Sequence, residues 1–137
     1  MGNAIWLFLA LPKWYFTTIL DPFGAGMLTA VPAVGVLCLA LGLVLAIFHR
    51  SPRLWLFELP FLASEGFVVF AGWQRGQIPS AGWLLLAFLG AQLALAVGLV
   101  AYAKRALMPA IAFALFSMSY ALFASFVAGM SLADNWL

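Results

Sequence analysis

Four long runs of mostly apolar residues constrain this chain more than any other feature of its sequence. They cover residues 27–49, 54–73, 83–103 and 110–132. A helix needs ~20 apolar residues to cross the ~30 Å of hydrocarbon in a bilayer, so each run has the length of one crossing, and 137 residues leave no room for a second domain. The sequence therefore predicts an all-α integral membrane protein, a single domain over residues 1–137 with four transmembrane helices.

Charged side chains are too scarce for a water-soluble protein. They make up 7% of the chain and hydrophobic residues make up 67%, whereas soluble domains carry roughly 25% charge. This composition excludes a disordered chain and a solvated enzyme domain. The net charge of +2 is too small to indicate nucleic-acid binding. We therefore predict the lipid bilayer as the surroundings of the chain and no nucleic acid among its partners.

Side chains that bind metals or haem are also scarce. The sequence contains one cysteine, Cys38, and one histidine, His49, and these cannot form the clusters at ligand spacing that metal sites need. We expect no metal site, no cofactor bound by this chain alone and no catalytic residues of its own.

The positions of the basic residues predict the orientation. Four of the six lysines and arginines fall in the turns after the first and third runs, at 50–53 and 104–109, whereas the turn after the second run carries only Arg75. Cytoplasmic loops are enriched in lysine and arginine, so both turns should face the cytoplasm and the C-terminus should lie outside. We expect a multi-pass protein of the cell inner (plasma) membrane. The predicted interfacial anchors are Trp73, Trp83 and Trp136.

The N-terminal segment is apolar but too short and too interrupted for a regular span. Residues 4–20 contain Pro12 and Lys13 at their centre, and a lysine in the middle of a membrane helix costs ~2.5 to 3.5 kcal/mol on insertion scales. A short interfacial helix and turn over residues 1–26 fits this pattern better than a fifth spanning helix.

A resemblance to a known family begins inside this segment. The run Leu11-Pro12-Lys13-Trp14-Tyr15-Phe16 is followed by a span that ends in His49-Arg50-Ser51-Pro52-Arg53. This order resembles the C-terminal half of cytochrome b in quinol-oxidising bc-type complexes, which is a separate chain, subunit IV, in chloroplasts. The family carries Pro-Glu-Trp-Tyr on a short outer-surface helix. The resemblance extends from Leu11 to about Ala103, and Lys13 replaces the family glutamate.

The resemblance implies a non-haem membrane subunit of a respiratory or photosynthetic electron-transfer complex. Other membrane subunits, including a haem-bearing cytochrome, would then be its partners, and quinone and haem would belong to the assembled complex. The expected quinone-contacting residues are Lys13, Trp14, Tyr15 and Phe16. Lysine cannot accept a proton as a carboxylate does, so quinol oxidation itself is not implied. The same four residues also suit a plain interfacial anchor.

One carboxylate lies deep in a predicted span. A rise of 1.5 Å per residue places Glu65 near the midplane, where ionisable groups are usually functional. Cys38, Gln92 and Tyr120 lie at comparable depth on the other three spans. This polar layer suits a proton relay, or a structural contact in which neutral Glu65 bonds to Gln92.

Two further hypotheses follow from these residues. The chain suits a small homo-oligomeric transporter or channel that uses the Glu65 carboxylate, or a purely structural accessory subunit of a membrane complex. In addition, Gly35, Gly42 and Ala46 place small residues along one side of the first span and predict a close helix contact there.

Overall fold

Five α-helices form the described part of the chain. The computed structural model describes residues 2–18, 27–74 and 82–133, and within them there is no strand. The helices are α1 (Gly2–Thr17), α2 (Met27–His49), α3 (Glu58–Trp73), α4 (Gly82–Tyr102) and α5 (Leu107–Leu132). Short 3-10 helices at Pro52–Phe57 and Lys104–Ala106 lead into α3 and α5.

Four helical segments are long and apolar enough to cross a membrane. They are Thr29–His49, Pro52–Trp73, Gly82–Tyr102 and Lys104–Leu132. The predicted fold class, an all-α multi-pass membrane protein in contact with lipid, is thereby confirmed. The last helix begins before Pro109 because proline is tolerated in a first turn, where its missing N–H has no helical partner to lose. Pro60 is placed in the same way, in the first turn of α3.

Helix α5 is the centre of the bundle. In the most apolar stretch of each helix, buried residues make up 61% for α5, 17% for α2 and 11% for α4. The main neighbours of α5 are α2, α3 and α4. Small side chains on α5 allow this close approach from several directions. Those that are buried include Ala110, Ala112, Ser117, Ala121, Ala124, Ser125 and Ala128.

Helix α1 packs along α3. Its buried residues Leu7, Leu11 and Tyr15 recur every four positions, which places them on one face of the helix. The helix continues through Pro12 instead of breaking there, because a single missing N–H is outweighed by the packing of this face. With 16 residues it is about 24 Å long, less than the hydrocarbon thickness.

Both basic turns lie at the same end of the bundle. Arg53 Nη1 donates to the carbonyl oxygen of Tyr102 at 3.1 Å, and its guanidinium lies 4.7 Å from the centre of the Tyr102 ring. This contact ties the first basic turn to the end of α4. At the opposite end, Trp73 and Trp83 are exposed as membrane anchors require. The third predicted anchor, Trp136, lies outside the described residues.

Candidate functional site

A buried carboxyl group on α3 is the most unusual feature of the core. Glu65 is 1% exposed, and its Oε1 accepts a hydrogen bond from the Tyr120 hydroxyl of α5. Its Oε2 has no hydrogen-bond partner among the described residues. A buried carboxyl oxygen without a partner is costly. An apolar side chain at position 65 would not carry this cost, so Glu65 is a candidate for a functional group.

Gln92 uses different partners from those predicted. Its Nε2 donates to the carbonyl oxygen of Pro60 at 3.2 Å and to Ser64 Oγ at 3.4 Å, while Ser64 Oγ donates to the same carbonyl at 2.9 Å. The predicted hydrogen bond between Glu65 and Gln92 is not formed. Gln92 of α4 lies beside Pro60 and Ser64, closer to the start of α3 than Glu65 is. Glu65 instead pairs with Tyr120.

A second hydrogen-bonded chain joins α1, α5 and α2. Ser119 Oγ donates to the Val31 carbonyl oxygen at 2.5 Å, so the Tyr15 hydroxyl, 2.7 Å away, donates to Ser119 Oγ. Gly35 faces this junction, since a Cβ at that position would overlap the Tyr15 hydroxyl and lie 2.9 Å from Ser119 Cβ. At Gly42 the nearest atoms belong to Phe113 and Ala112 of α5. The predicted close contact of α2 is therefore confirmed at Gly35 and Gly42, and its partner there is α5.

Aromatic rings connect the two polar groups. The ring centres of Tyr15 and Tyr120 are 4.9 Å apart, and those of Phe61 and Tyr120 are 4.5 Å apart. Phe116 and Phe123 lie edge-on to Tyr15, with ring centres 6.1 and 5.4 Å away. Such contacts fix ring positions, so both hydroxyl groups are held in place by packing as well as by hydrogen bonds.

The predicted site residues separate into inward and outward groups. Tyr15 points into the bundle and is fully buried, while Lys13 and Phe16 of the same helix are exposed. Trp14 is half-buried, and its ring lies 5.2 Å from that of Trp6. Helical geometry explains the split, because successive side chains turn by about 100°. Tyr15 therefore joins Tyr120 and Glu65 in the core, whereas Lys13 does not.

Cys38 lies at the margin of this core. It is half-buried and packs against the cluster that contains Tyr15 and Tyr120. It has no disulfide partner, since it is the one cysteine of the sequence. Of the four residues predicted for the midplane layer, the structure thus brings Glu65 and Tyr120 into contact and places Gln92 and Cys38 beside other groups.

A cleft opens between α2 and the start of α3. Its volume is about 670 Å³, and α5 forms its floor through Phe113, Phe116 and Ser117. Leu39, Leu43, Ala46, Ile47, Leu54, Trp55, Phe57 and Phe61 form apolar walls, and Arg50, Ser51 and Glu58 stand at the end near the first basic turn. Sequence reasoning missed this cleft, because it depends on how far apart the two helices lie on α5.

The cleft and the buried carboxyl group are neighbours. Phe61 and Phe116 line the cleft and also contact Tyr120, with ring centres 4.5 and 6.1 Å away. One layer of aromatic side chains therefore separates the cleft from the Tyr120–Glu65 pair. Among the described residues no group of three histidine, cysteine or acidic side chains is placed to hold a metal ion.

Comparison with known proteins identified no relative. No family model, curated protein or solved structure matches this chain.

Proposed function

We propose that this protein is a non-haem membrane subunit that binds an isoprenoid quinone, within an electron-transfer complex of the kind that contains cytochrome b. The cleft between α2 and α3 is the observation that carries the proposal. Ligand pockets of about 300 to 1,000 Å³ with apolar walls and a few polar groups are typical of small-molecule sites, and the cleft has about 670 Å³.

The chemistry of the cleft suits a flat ring with an apolar tail. Phe57, Phe61, Phe113 and Phe116 offer aromatic faces against which a quinone ring would stack. Ser117 Oγ donates to the Phe113 carbonyl oxygen at 2.8 Å, which leaves a lone pair of that hydroxyl for a polar ligand atom. The aliphatic walls from α2 would contact the isoprenoid chain.

The charge at the mouth of the cleft favours a neutral head group. Arg50 and Glu58 both line this end, so it carries one cationic and one anionic side chain. An anionic lipid would gain from the arginine and lose from the glutamate, whereas a neutral quinone head loses nothing. None of the residues 13–16, the expected quinone contacts, lines this cleft, and Tyr15 alone among them is buried in the core.

A bulky side chain in the cleft should displace the quinone. We expect an Ala46→Trp variant, purified from native membranes in mild detergent, to retain at most about a tenth of the quinone that co-purifies with the wild type. The indole would occupy the cleft, and filling such a pocket removes its binding energy. The measurement is chromatography of the organic extract with detection of quinone absorption.

Ala94→Trp is the matched control, because Ala94 is exposed on α4 away from the cleft. It should retain the quinone content of the wild type. Absence of quinone from the wild type, or an equal loss in both variants, would contradict the proposal. Absorption spectra of the same samples would reveal cytochrome partners through their haem bands.

The proposed orientation places the basic end of the bundle in the cytoplasm of a cell with this protein in its plasma membrane. The contact between Arg53 and Tyr102 supports one shared side for the two basic turns, and the excess of basic residues in cytoplasmic loops supports the choice of side. The C-terminus would then face outward.

A second candidate function is favoured by the unpartnered Oε2 of Glu65. A membrane carboxyl group with one free oxygen suits a small transporter or channel that binds a proton at midmembrane. Reconstituted wild-type protein should then dissipate a pH gradient in liposomes, and Glu65→Gln should abolish this, because an amide keeps the acceptor oxygen but cannot release a proton. Equal proton flux in the two proteins, or none in the wild type, excludes this candidate.

A further inference from the structure

A second apolar groove lies between α4 and α5, apart from the quinone cleft. Its volume is about 350 Å³. All of the residues that line it are apolar: Leu93, Ala96, Val97, Val100, Ala101, Ile111, Ala114, Leu115 and Met118. Small side chains at 96, 101 and 114 make the groove, since they leave space between two helices that pack closely elsewhere. An acyl chain is the kind of ligand that needs no polar group along its length.

The groove ends at a pair of basic residues. Val100 and Ala101 belong to the last turn of α4, Ile111 belongs to the second turn of α5, and the short turn between these helices carries Lys104 and Arg105. Both basic side chains are exposed. Within the described ranges, neither forms a hydrogen bond or an ion pair.

The backbone adds positive potential at the same place. Helix α5 begins at Leu107, and the residue before it, Ala106, supplies no side-chain cap. The N-terminal end of a helix carries a partial positive charge and uncapped N–H groups, which favour anions such as phosphate. Two cations and this helix end therefore coincide where the groove meets the membrane surface.

We propose that this groove binds an anionic phospholipid, with one acyl chain between α4 and α5 and the phosphate beside Lys104 and Arg105. The charged residues near the groove indicate an anionic lipid and not a neutral one. The quinone cleft is lined by Glu58 as well as by Arg50, whereas no acidic residue occurs in the turn or lines the groove. The site is independent of the proposed quinone function and would exist even if the cleft were empty.

Lipid retention measures the preference directly. The probes are phosphatidylglycerol and phosphatidylcholine with identical chains, added in equal amounts to the delipidated full chain and followed by native mass spectrometry. The wild type should retain phosphatidylglycerol at least about tenfold better, and Lys104→Ser with Arg105→Ser should remove the preference, because each basic residue near the surface contributes about fivefold.

Two further variants separate the head-group and chain contributions. Lys13→Ser removes an exposed cation of α1 that lines neither the groove nor the cleft, and should leave the preference unchanged. Ala101→Phe fills the groove from an exposed position and should lower retention of both lipids. Equal retention of the two lipids by the wild type overturns the proposal. So does a loss in Lys13→Ser as large as that in the double variant, or unchanged retention in Ala101→Phe.

Discussion

A Gly35→Val variant should lose about 3 kcal/mol or more of its free energy of unfolding in mixed micelles. A side chain at this position would overlap the Tyr15 hydroxyl and Ser119 Oγ, so α2 would have to move away from α5. That movement breaks the bond from Ser119 to the Val31 carbonyl and separates α1 from the core. Titration with a denaturing detergent, followed by circular dichroism, measures the loss.

Gly98 of α4 provides the control, because a Cβ there has no neighbour within 4 Å. Gly98→Val should change the free energy of unfolding by less than about 0.5 kcal/mol, as is usual for surface substitutions. Gly35→Ala should also lower the free energy of unfolding, because its Cβ would overlap the Tyr15 hydroxyl. Tyr15→Phe removes that hydroxyl and should therefore reduce the loss caused by Gly35→Ala. If the two glycines give the same loss, the close junction at Gly35 does not govern stability.

Replacing Glu65 by lysine should cost about 3 kcal/mol and reduce the yield of folded protein. The Tyr120 hydroxyl that now donates to the carboxyl group would face a cation with no acceptor atom. A lysine at position 65 lies too far from the ends of α3 to reach water. It also has no anionic partner nearby, because Glu58, the other acidic residue of α3, is seven positions away at the exposed end. The same detergent titration measures the effect.

Glu58→Lys is the matched control on the same helix. Glu58 is exposed, so the reversal of its charge should cost less than about 1 kcal/mol. Glu65→Gln should also remain within about 1 kcal/mol of the wild type, because it keeps an oxygen for Tyr120. A folded, stable Glu65→Lys protein would show that water or another polar group reaches this position, contrary to the burial that we describe.

The sequence was sufficient to predict the four long apolar helices. Length and hydropathy depend on each segment alone, so Met27–His49 could be predicted with both ends correct. The start of α5 was placed three residues too late, since Pro109 was expected to precede the helix and instead occupies its first turn. The four-helix crossing and the close contact at Gly35 and Gly42 followed from residue type and spacing.

The neighbours of each helix could not be predicted in this way. Counting residues gave Glu65, Gln92 and Tyr120 the same depth, but depth does not specify which helices adjoin or how each is rotated. Gln92 was therefore chosen as the partner of Glu65, whereas Tyr120 occupies that place. The hydrogen bond between Tyr15 and Ser119 joins residues 104 positions apart. The cleft and the groove exist only because of the spacing between packed helices.

The central position of α5 has a consequence for biosynthesis. The ribosome releases α2, α3 and α4 first, so each enters the bilayer before α5, its main neighbour in the bundle. During that interval Glu65 has no Tyr120 to bond with, and Gly35 faces lipid in place of Ser119. A nascent chain at this stage carries a polar side chain in hydrocarbon without a partner, which is costly. Insertion of α5 is thus the step that removes this cost, because it supplies the Tyr120 hydroxyl that donates to Glu65.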